Sequence, residues 1–472
     1  MSRDAIWTSD EAVQATGGEC VQKWVAQGVS IDSRTVEFND LFIALEGPNQ
    51  DGHAYVADAF KAGAAAAIVR HVPEGYAGGE PLLIVDDTQA ALEGLATFAR
   101  DRVSARICAV TGSVGKTGTK EALHQTLARS GNTHVSAASY NNLWGVPLSL
   151  ARMPRDTMYG VFEIGMNHPG EITPLVRMVR PHVAIITTVE PAHLEYFDSI
   201  EAIADAKAEI FDGLEPAGVA ILNYDNSQFE RLEKAAQIAG ATVISFGANS
   251  GADVHLERVA LHPNCSCVSA TVLDQDATYK IGMAGAHWAQ NSLAVLGAVQ
   301  ALGGDIGLAT MALAGMEAPA GRGQKHRIEA LNGAFDLIDD SYNASPASMR
   351  AACQVLAGAT VGSTGRRIAV LGDMRELGET ADQLHAELAA DLAEAKVDQV
   401  FCVGEFMTHL VAALPASIDA VHLDTAEAAA PLVVAAVKSG DVVLVKGSLA
   451  SRMKLVVDAL LALQPMPRAA NG

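Results

Sequence analysis

Short, continuous apolar runs recur along this chain, each followed by a polar turn and then by a stretch whose apolar positions repeat at helical spacing. RICAV (106–110), MYGVFEIGM (158–166), HVAIITTV (182–189), RRIAVLGDM (366–374), DQVFCVG (398–404) and DVVLVKG (441–447) read as strands buried on both faces. The intervening segments, ADQLHAELAADLAEA (381–395) among them, read as helices. Strands alternating with helices over the whole length predict the α/β class with mostly parallel sheets.

Taken in order, the pattern divides into three units. Residues 1–100 form a small N-terminal α/β domain: VSIDSRTVEFNDLFIAL gives two strands around a polar turn, and DGHAYVADAFKAGAAAAIVR gives a helix passing into a strand. Residues 101–318 form a central doubly wound sheet, in which TVISFG, ADVHLERVAL, CVSATVLD and TYKIGM (241–283) read as an antiparallel extension. The Gly-, Pro- and base-rich stretch EAPAGRGQKHRIEAL is the expected hinge, and residues 319–472 form a second doubly wound, Rossmann-like sheet.

The central unit opens on RICAV, then TGSVGKT, then GTKEALHQTLARSG, a strand, a glycine loop and a helix with Ala122, Leu123, Thr126 and Leu127 on one face. Gly112 and Gly115 let backbone N–H groups turn inward without a Cβ in the way, Ser113 belongs to the same nucleotide-binding loop, and the helix aims its positive end at an anion. Lys116 adds a mobile cation for β/γ-phosphates, and the Thr117 hydroxyl is a hard oxygen suited to Mg²⁺. The loop is G-x-x-G-K-T, two residues shorter than the usual phosphate-binding pattern; an ordinary tight turn is the alternative.

Other polar residues fall at the ends of strands, the edge where ligands collect in open α/β sheets. Glu163 ends one strand, His193 follows the next, and Lys207 lies in the helix SIEAIADAKAEIFDGL. Glu163 is suited to binding Mg²⁺ and His193 to completing a second metal shell; singly, each of the three also reads as an ordinary surface, loop or helix residue. Asn291, early in the helix AGAHWAQNSLAVLGAVQAL, either reads an adenine edge or packs. Ser33 and Arg34 occupy a turn where an arginine forks onto a phosphate or merely meets solvent. The C-terminal unit offers Asp339, Asp340, Tyr342 and Asn343, then Asp373 with Glu376, then Lys446 with Ser448.

Composition narrows the partners. A formal charge of −22 argues against nucleic acid or an acidic membrane surface. No apolar run approaches membrane-spanning length, so no membrane insertion is expected. Six scattered cysteines and a polar, charged start predict a reduced, cytoplasmic protein.

These residues resemble the Mur ligase family, the ATP-dependent amide-forming enzymes of peptidoglycan precursor synthesis. TGSVGKTGTK, the NN..GVP segment from Asn141 and Asn142 to Pro147, EIGMNHPGEI, AHLEYF, AKAEIF and GAHWAQNSLA match in order and spacing. DDSYNASPASM, LGDMRELGE and VLVKGSLASRM are similar to the branch that adds D-alanyl-D-alanine to UDP-N-acetylmuramoyl-tripeptide. The resemblance implies that Lys116 and Thr117 hold ATP and its Mg²⁺, that Glu163 and His193 serve the metals, and that Lys207 is carbamylated to help hold a second Mg²⁺. It further implies that Asn291 reads adenine, Asp340 holds the ribose, and Arg322 bridges two domains on the nucleotide. Asp32 to Arg34 and Asp51 to His53 match the UDP-sugar pattern; Asn141, Asn142, Tyr342, Asn343 and Asp373 are expected on the peptide substrates, and the chain is expected to act as a monomer. Two positions depart from the family: Trp288 stands where Asn is frequent, and Gly118 where Thr or Ser is common.

Overall fold

Apolar runs buried on both faces need layers above and below, and the computed structural model of the chain supplies them around three sheets. It describes residues 4–464 apart from positions 21, 48, 49, 75, 77, 138, 192, 193, 331 and 332. The central sheet has nine strands in the spatial order Thr133–Val135, Tyr159–Glu163, Arg106–Thr111, Val183–Ile186, Val219–Asn223, Thr242–Gly247, Val254–His262, Cys265–Val272 and Gln275–Ile281. The first seven run parallel to their neighbours, and only the last two pairings are antiparallel. The antiparallel extension expected over 241–283 is therefore shorter than its sequence suggests. Thr242–Gly247 continues the parallel sheet because the helix Phe229–Ile238 returns the chain to the same end as before.

Alternation within one strand shows how both faces are filled. Cys108 and Val110 point into a core with the helices Lys116–Leu127 and Ala286–Ala301, while Ile107 and Ala109 point into the opposite core with Ile172–Val179 and Ile200–Ala208. The last of these helices is shorter than its sequence suggests: Ile210 and Phe211 fall in a following 3-10 turn, so Lys207 sits at the helix's last turn instead of its middle.

The strand Arg106–Thr111 lies between Tyr159–Glu163 and Val183–Ile186, and its exit loop therefore opens at the point where strand order reverses. The C-terminal sheet repeats the principle with six strands, Gln324–Ala330, Gly333–Asp340, Val442–Lys446, Arg367–Gly372, Gln399–Val403 and Asp419–Leu423, antiparallel only at the first pair. The expected hinge is thus partly strand. Gly321 and Gly323 turn with positive φ, but QKHRIEA then alternates, burying Ile328 and turning Arg327 outward to Asp336 at 3.0 Å.

The N-terminal five-stranded sheet is parallel save for Glu19–Cys20. Its core continues into the central unit, because Leu148 and Ala151 of the helix Gly145–Ala151 belong to it. Fully buried Trp7 donates its indole N–H to the Ala151 carbonyl at 2.8 Å, under the guanidinium of Arg102 at 4.3 Å. No helix among the described residues is long and apolar enough to cross a membrane.

Trp7→Phe keeps most of the ring and removes that donor, leaving the Ala151 carbonyl short of a partner. The expected loss is about 1–3 kcal/mol, read as a lower urea midpoint for the N-terminal transition; an unchanged midpoint would show that the seam does not depend on this bond.

Candidate active site

Gly112 ends the strand Arg106–Thr111 with φ +144°, and a Cβ there would lie 1.9 Å from Oγ1 of Thr187, so only glycine fits. The Thr187 hydroxyl donates to the Val114 carbonyl at 2.6 Å, and the Ser113 N–H donates to the Thr188 carbonyl at 2.9 Å. The loop is thereby pinned to the end of the neighbouring strand. Gly115, at φ +87°, turns it into the helix Lys116–Leu127, whose first N–H groups have no partner within the helix. The Lys116 ammonium folds back over the loop onto the Gly112 carbonyl at 2.7 Å.

One buried carboxylate faces this loop. Glu163, 1 % exposed, accepts from the Thr117 hydroxyl at 2.8 Å through Oε2 and from the Asn141 amide at 2.8 Å through Oε1. Lys207 is 2 % exposed and has neither hydrogen bond nor ion pair among the described residues. Burial, reinforced by the charge of Lys116, presses its ammonium well below the ordinary lysine range. Burial also lowers Lys116, against the pull of Glu163 and with a further push from Arg322. His193, expected with this group, lies outside the described residues.

Beyond the loop, a cavity of about 1370 Å³ opens between the central and C-terminal sheets. Ser113, Gly115, Lys116, Thr117, Asn141, Glu163 and Asn291 line it from one side, and Arg322, Asp340, Tyr342 and Asn343 from the other. Arg322 crosses the gap: it donates to the Ser139 hydroxyl at 3.0 Å while its guanidinium stacks 4.3 Å from the Tyr342 ring. Lys446 holds Asp340 at 2.8 Å and also donates to the Asn343 carbonyl at 2.8 Å. Burial raises the Asp340 carboxyl, and Lys446 opposes the shift.

Six of the described expected residues do not line this cavity, Gly112 and Lys207 among them. Asp373, 1 % exposed, turns into its own loop, accepting from the Met407 N–H at 3.2 Å, and its neighbour Arg375 lines the cleft instead. Asn142 caps the helix Gly145–Ala151, accepting from the Gly145 N–H at 2.9 Å. Ser33 and Arg34 lie on the N-terminal unit, where Arg34 is paired with Asp32 at 2.6 Å. Sequence reading missed Thr187, which closes the loop, and Ser139 and Gln290, which line the cleft. Thr187 was accessible to the rule that the next parallel strand ends beside the loop.

Among the described residues, one trio outside the cleft, Glu46, Asp51 and His53, has metal-like spacing. Its imidazole is fully engaged, with Nδ1 2.6 Å from Asp51 and Nε2 accepting from the Arg70 N–H at 2.9 Å.

Three family models match successive parts of the chain: the Mur ligase family catalytic domain at residues 25–100, the Mur ligase middle domain at 110–299 and the Mur ligase glutamate ligase domain at 326–449. A Rickettsia prowazekii protein named UDP-N-acetylmuramoyl-tripeptide--D-alanyl-D-alanine ligase is 33% identical over 96% of this chain and 99% of its own. The chain belongs to the Mur ligase family.

An Escherichia coli protein of the same name is 34% identical over 92% of this chain and 93% of its own. Among solved structures, MurF from Acinetobacter baumannii superposes with a TM-score of 0.84 at 31% identity, covering 98% of this chain and 100% of that one. MurF from Thermotoga maritima, solved with ADP, gives 0.75 at 26% identity, covering 92% and 97%. Similarity in sequence and in architecture therefore extends over nearly the full length of this Mur ligase.

Gly112→Ala forces a methyl group onto the Thr187 hydroxyl and a left-handed backbone onto alanine. Its affinity for an adenine nucleotide, measured by calorimetry, is expected to fall at least about tenfold, the equivalent of ~1.4 kcal/mol. Unaltered affinity would remove the loop from the site.

Proposed function

We propose that this Mur ligase joins D-alanyl-D-alanine to UDP-N-acetylmuramoyl-tripeptide, converting ATP to ADP and phosphate. The observation that carries the reading is the convergence of Lys116, Thr117 and buried Glu163 on the wall of a cleft between two sheets, with buried Lys207 near enough to be acted on by the charge of Lys116. The names of the Rickettsia and Escherichia relatives give the substrates, and the ADP in the Thermotoga structure supports the nucleotide.

A carboxylate does not react with an amine until one of its oxygens becomes a leaving group. In this reading the γ-phosphoryl of ATP passes to the terminal carboxylate of the tripeptide, giving an acyl phosphate. The dipeptide amine attacks its carbonyl carbon, and phosphate leaves. Lys116 and the loop N–H groups stabilise charge on the transferring phosphoryl group. The cleft aligns carboxylate, phosphate and amine, which supplies much of the remaining rate.

Mg²⁺ fits the donor set, since the Thr117 hydroxyl and the Glu163 carboxylate are hard oxygens 2.8 Å apart. It would neutralise charge on the phosphates when bound. Lys207 as an ammonium does not fit there, but as a carbamate it would offer two more oxygens. Burial and the charge of Lys116 shift Lys207 toward the neutral amine, the species that adds to carbon dioxide, so its surroundings favour that change. Asn291 and Asp340 would hold the adenosine, with Arg322 spanning the two units on it. Asn141 would orient Glu163, and Asp373 would position Arg375 without touching substrate.

We assign the UDP-sugar to residues 1–100 with Ser33 and Arg34, ATP to 101–318, and the dipeptide to 319–472 with Tyr342 and Asn343. All six cysteines are free, which supports a cytoplasmic setting. The cleft is built within one chain, as a monomer requires.

Purified protein given ATP, Mg²⁺ and UDP-N-acetylmuramoyl-tripeptide should release ADP and phosphate in step with added D-alanyl-D-alanine, and prefer it to glutamate or a diamino acid. Turnover indifferent to the dipeptide would overturn the reading. Glu163→Gln should lower kcat about a hundredfold or more. Lys207→Ala should be nearly inactive and regain activity with short carboxylic acids; full activity without them would remove Lys207 from the mechanism.

A further inference from the structure

The two departures from the family pattern, Gly118 and Trp288, touch each other. Gly118 is the third residue of the helix that follows the phosphate loop, and it is buried. A Cβ built on it would stand 2.5 Å from Cη2 and 2.8 Å from Cζ3 of Trp288. The indole thus occupies the volume that any side chain at 118 would need. Glycine inside a helix is unfavourable relative to alanine, so its presence here calls for a neighbour that uses the space.

That neighbour also faces the cleft. Trp288 lies in the first turn of the helix Ala286–Ala301, one turn before Asn291, and both line the same cavity as the phosphate loop. The amide of Asn291 packs against Gly115 and the indole against Gly118, so the two side chains follow the loop outward from Lys116 and Thr117. The surroundings on the phosphate side are polar: Ser113, Lys116, Thr117 and Glu163. A flat apolar surface beside them offers nothing to a phosphate and matches the face of a base. The indole N–H has no hydrogen-bond partner among the described residues, which leaves a donor for the same ligand.

We propose that Gly118 and Trp288 act as one device, in which the glycine admits the indole and the indole forms the wall against which the purine base of the nucleotide stacks. The inference rests on the nucleotide reading given above and adds a specificity-determining residue to it. Purine recognition at this wall is by contact with the ring face, and the hydrogen-bonding edge is left to Asn291.

The test follows tryptophan emission and calorimetry on the full-length protein, with ADP and inorganic tripolyphosphate as probes. Trp7 and Trp24 are buried in the N-terminal core, and Trp144 packs near Gly47, so an emission change on ADP binding should come from Trp288. It should be absent with tripolyphosphate and absent in Trp288→Phe, which should rescue most of the affinity lost in Trp288→Ala. Trp288→Ala should weaken ADP about tenfold, the scale of one base–aromatic stack, and leave tripolyphosphate unchanged. Gly118→Thr alone should weaken ADP by displacing the indole, and adding Trp288→Asn should restore part of the loss, with a coupling of at least about threefold. ADP binding with silent emission, equal losses for ADP and tripolyphosphate, or strictly additive substitutions would overturn this inference alone. Failure of the wild-type protein to bind ADP would overturn the nucleotide reading and this inference with it.

Discussion

Positive charge buried without enough negative charge to match it is the constraint around which this protein is arranged. Arg322 acts on Lys116 and Lys116 on the buried Lys207, and Glu163 is the buried carboxylate beside Lys116. The chain as a whole carries −22, so this local excess of cations is set against the charge of the molecule. Burying an ammonium ion without a partner is costly, and such a group either loses its proton or waits for an anion. In the proposed function a triphosphate on the loop and a carbamate on Lys207 would supply those anions.

The fold delivers those groups by simple means. Parallel strands end together, so Thr111, Glu163 and the Thr187 turn meet at one edge of the central sheet without long excursions of the chain. The second sheet presents Asp340 and Lys446 from its own strand ends, and the turn with Gly321 and Gly323 lets Arg322 face both. The N-terminal unit is joined more firmly, through the Trp7 indole and a shared apolar core. One seam is thus packed like an interior, while the other is a cleft crossed by a single arginine and a few polar contacts.

Much of this was legible in the sequence where local pattern and global position agree. The strand, glycine loop and helix from Arg106 onward announce themselves, and Glu163 follows from its place at the end of an apolar strand. The edge strand Gln324–Ala330 was hidden because its glycines and basic residues mimic a linker, and only its pairing with Gly333–Asp340 reveals it. Asp373 has the same sequence credentials as Asp340, yet close approach of the Gly404 backbone and the Met407 N–H turn it inward. Direction of a side chain is set by its tertiary neighbours, which a strand-end rule does not see. Gly118 and Trp288 read as two unrelated departures, since contact between residues 170 positions apart leaves no trace in a single sequence.

The most direct measurement of the account is a crystal structure of the protein with ADP and Mg²⁺. The phosphates should lie within the loop of residues 112–117 with Lys116 upon them, and the Lys207 nitrogen should carry a carboxyl group directed at Thr117 and Glu163. Phosphates bound away from the loop, or a bare Lys207 ammonium beside them, would contradict it.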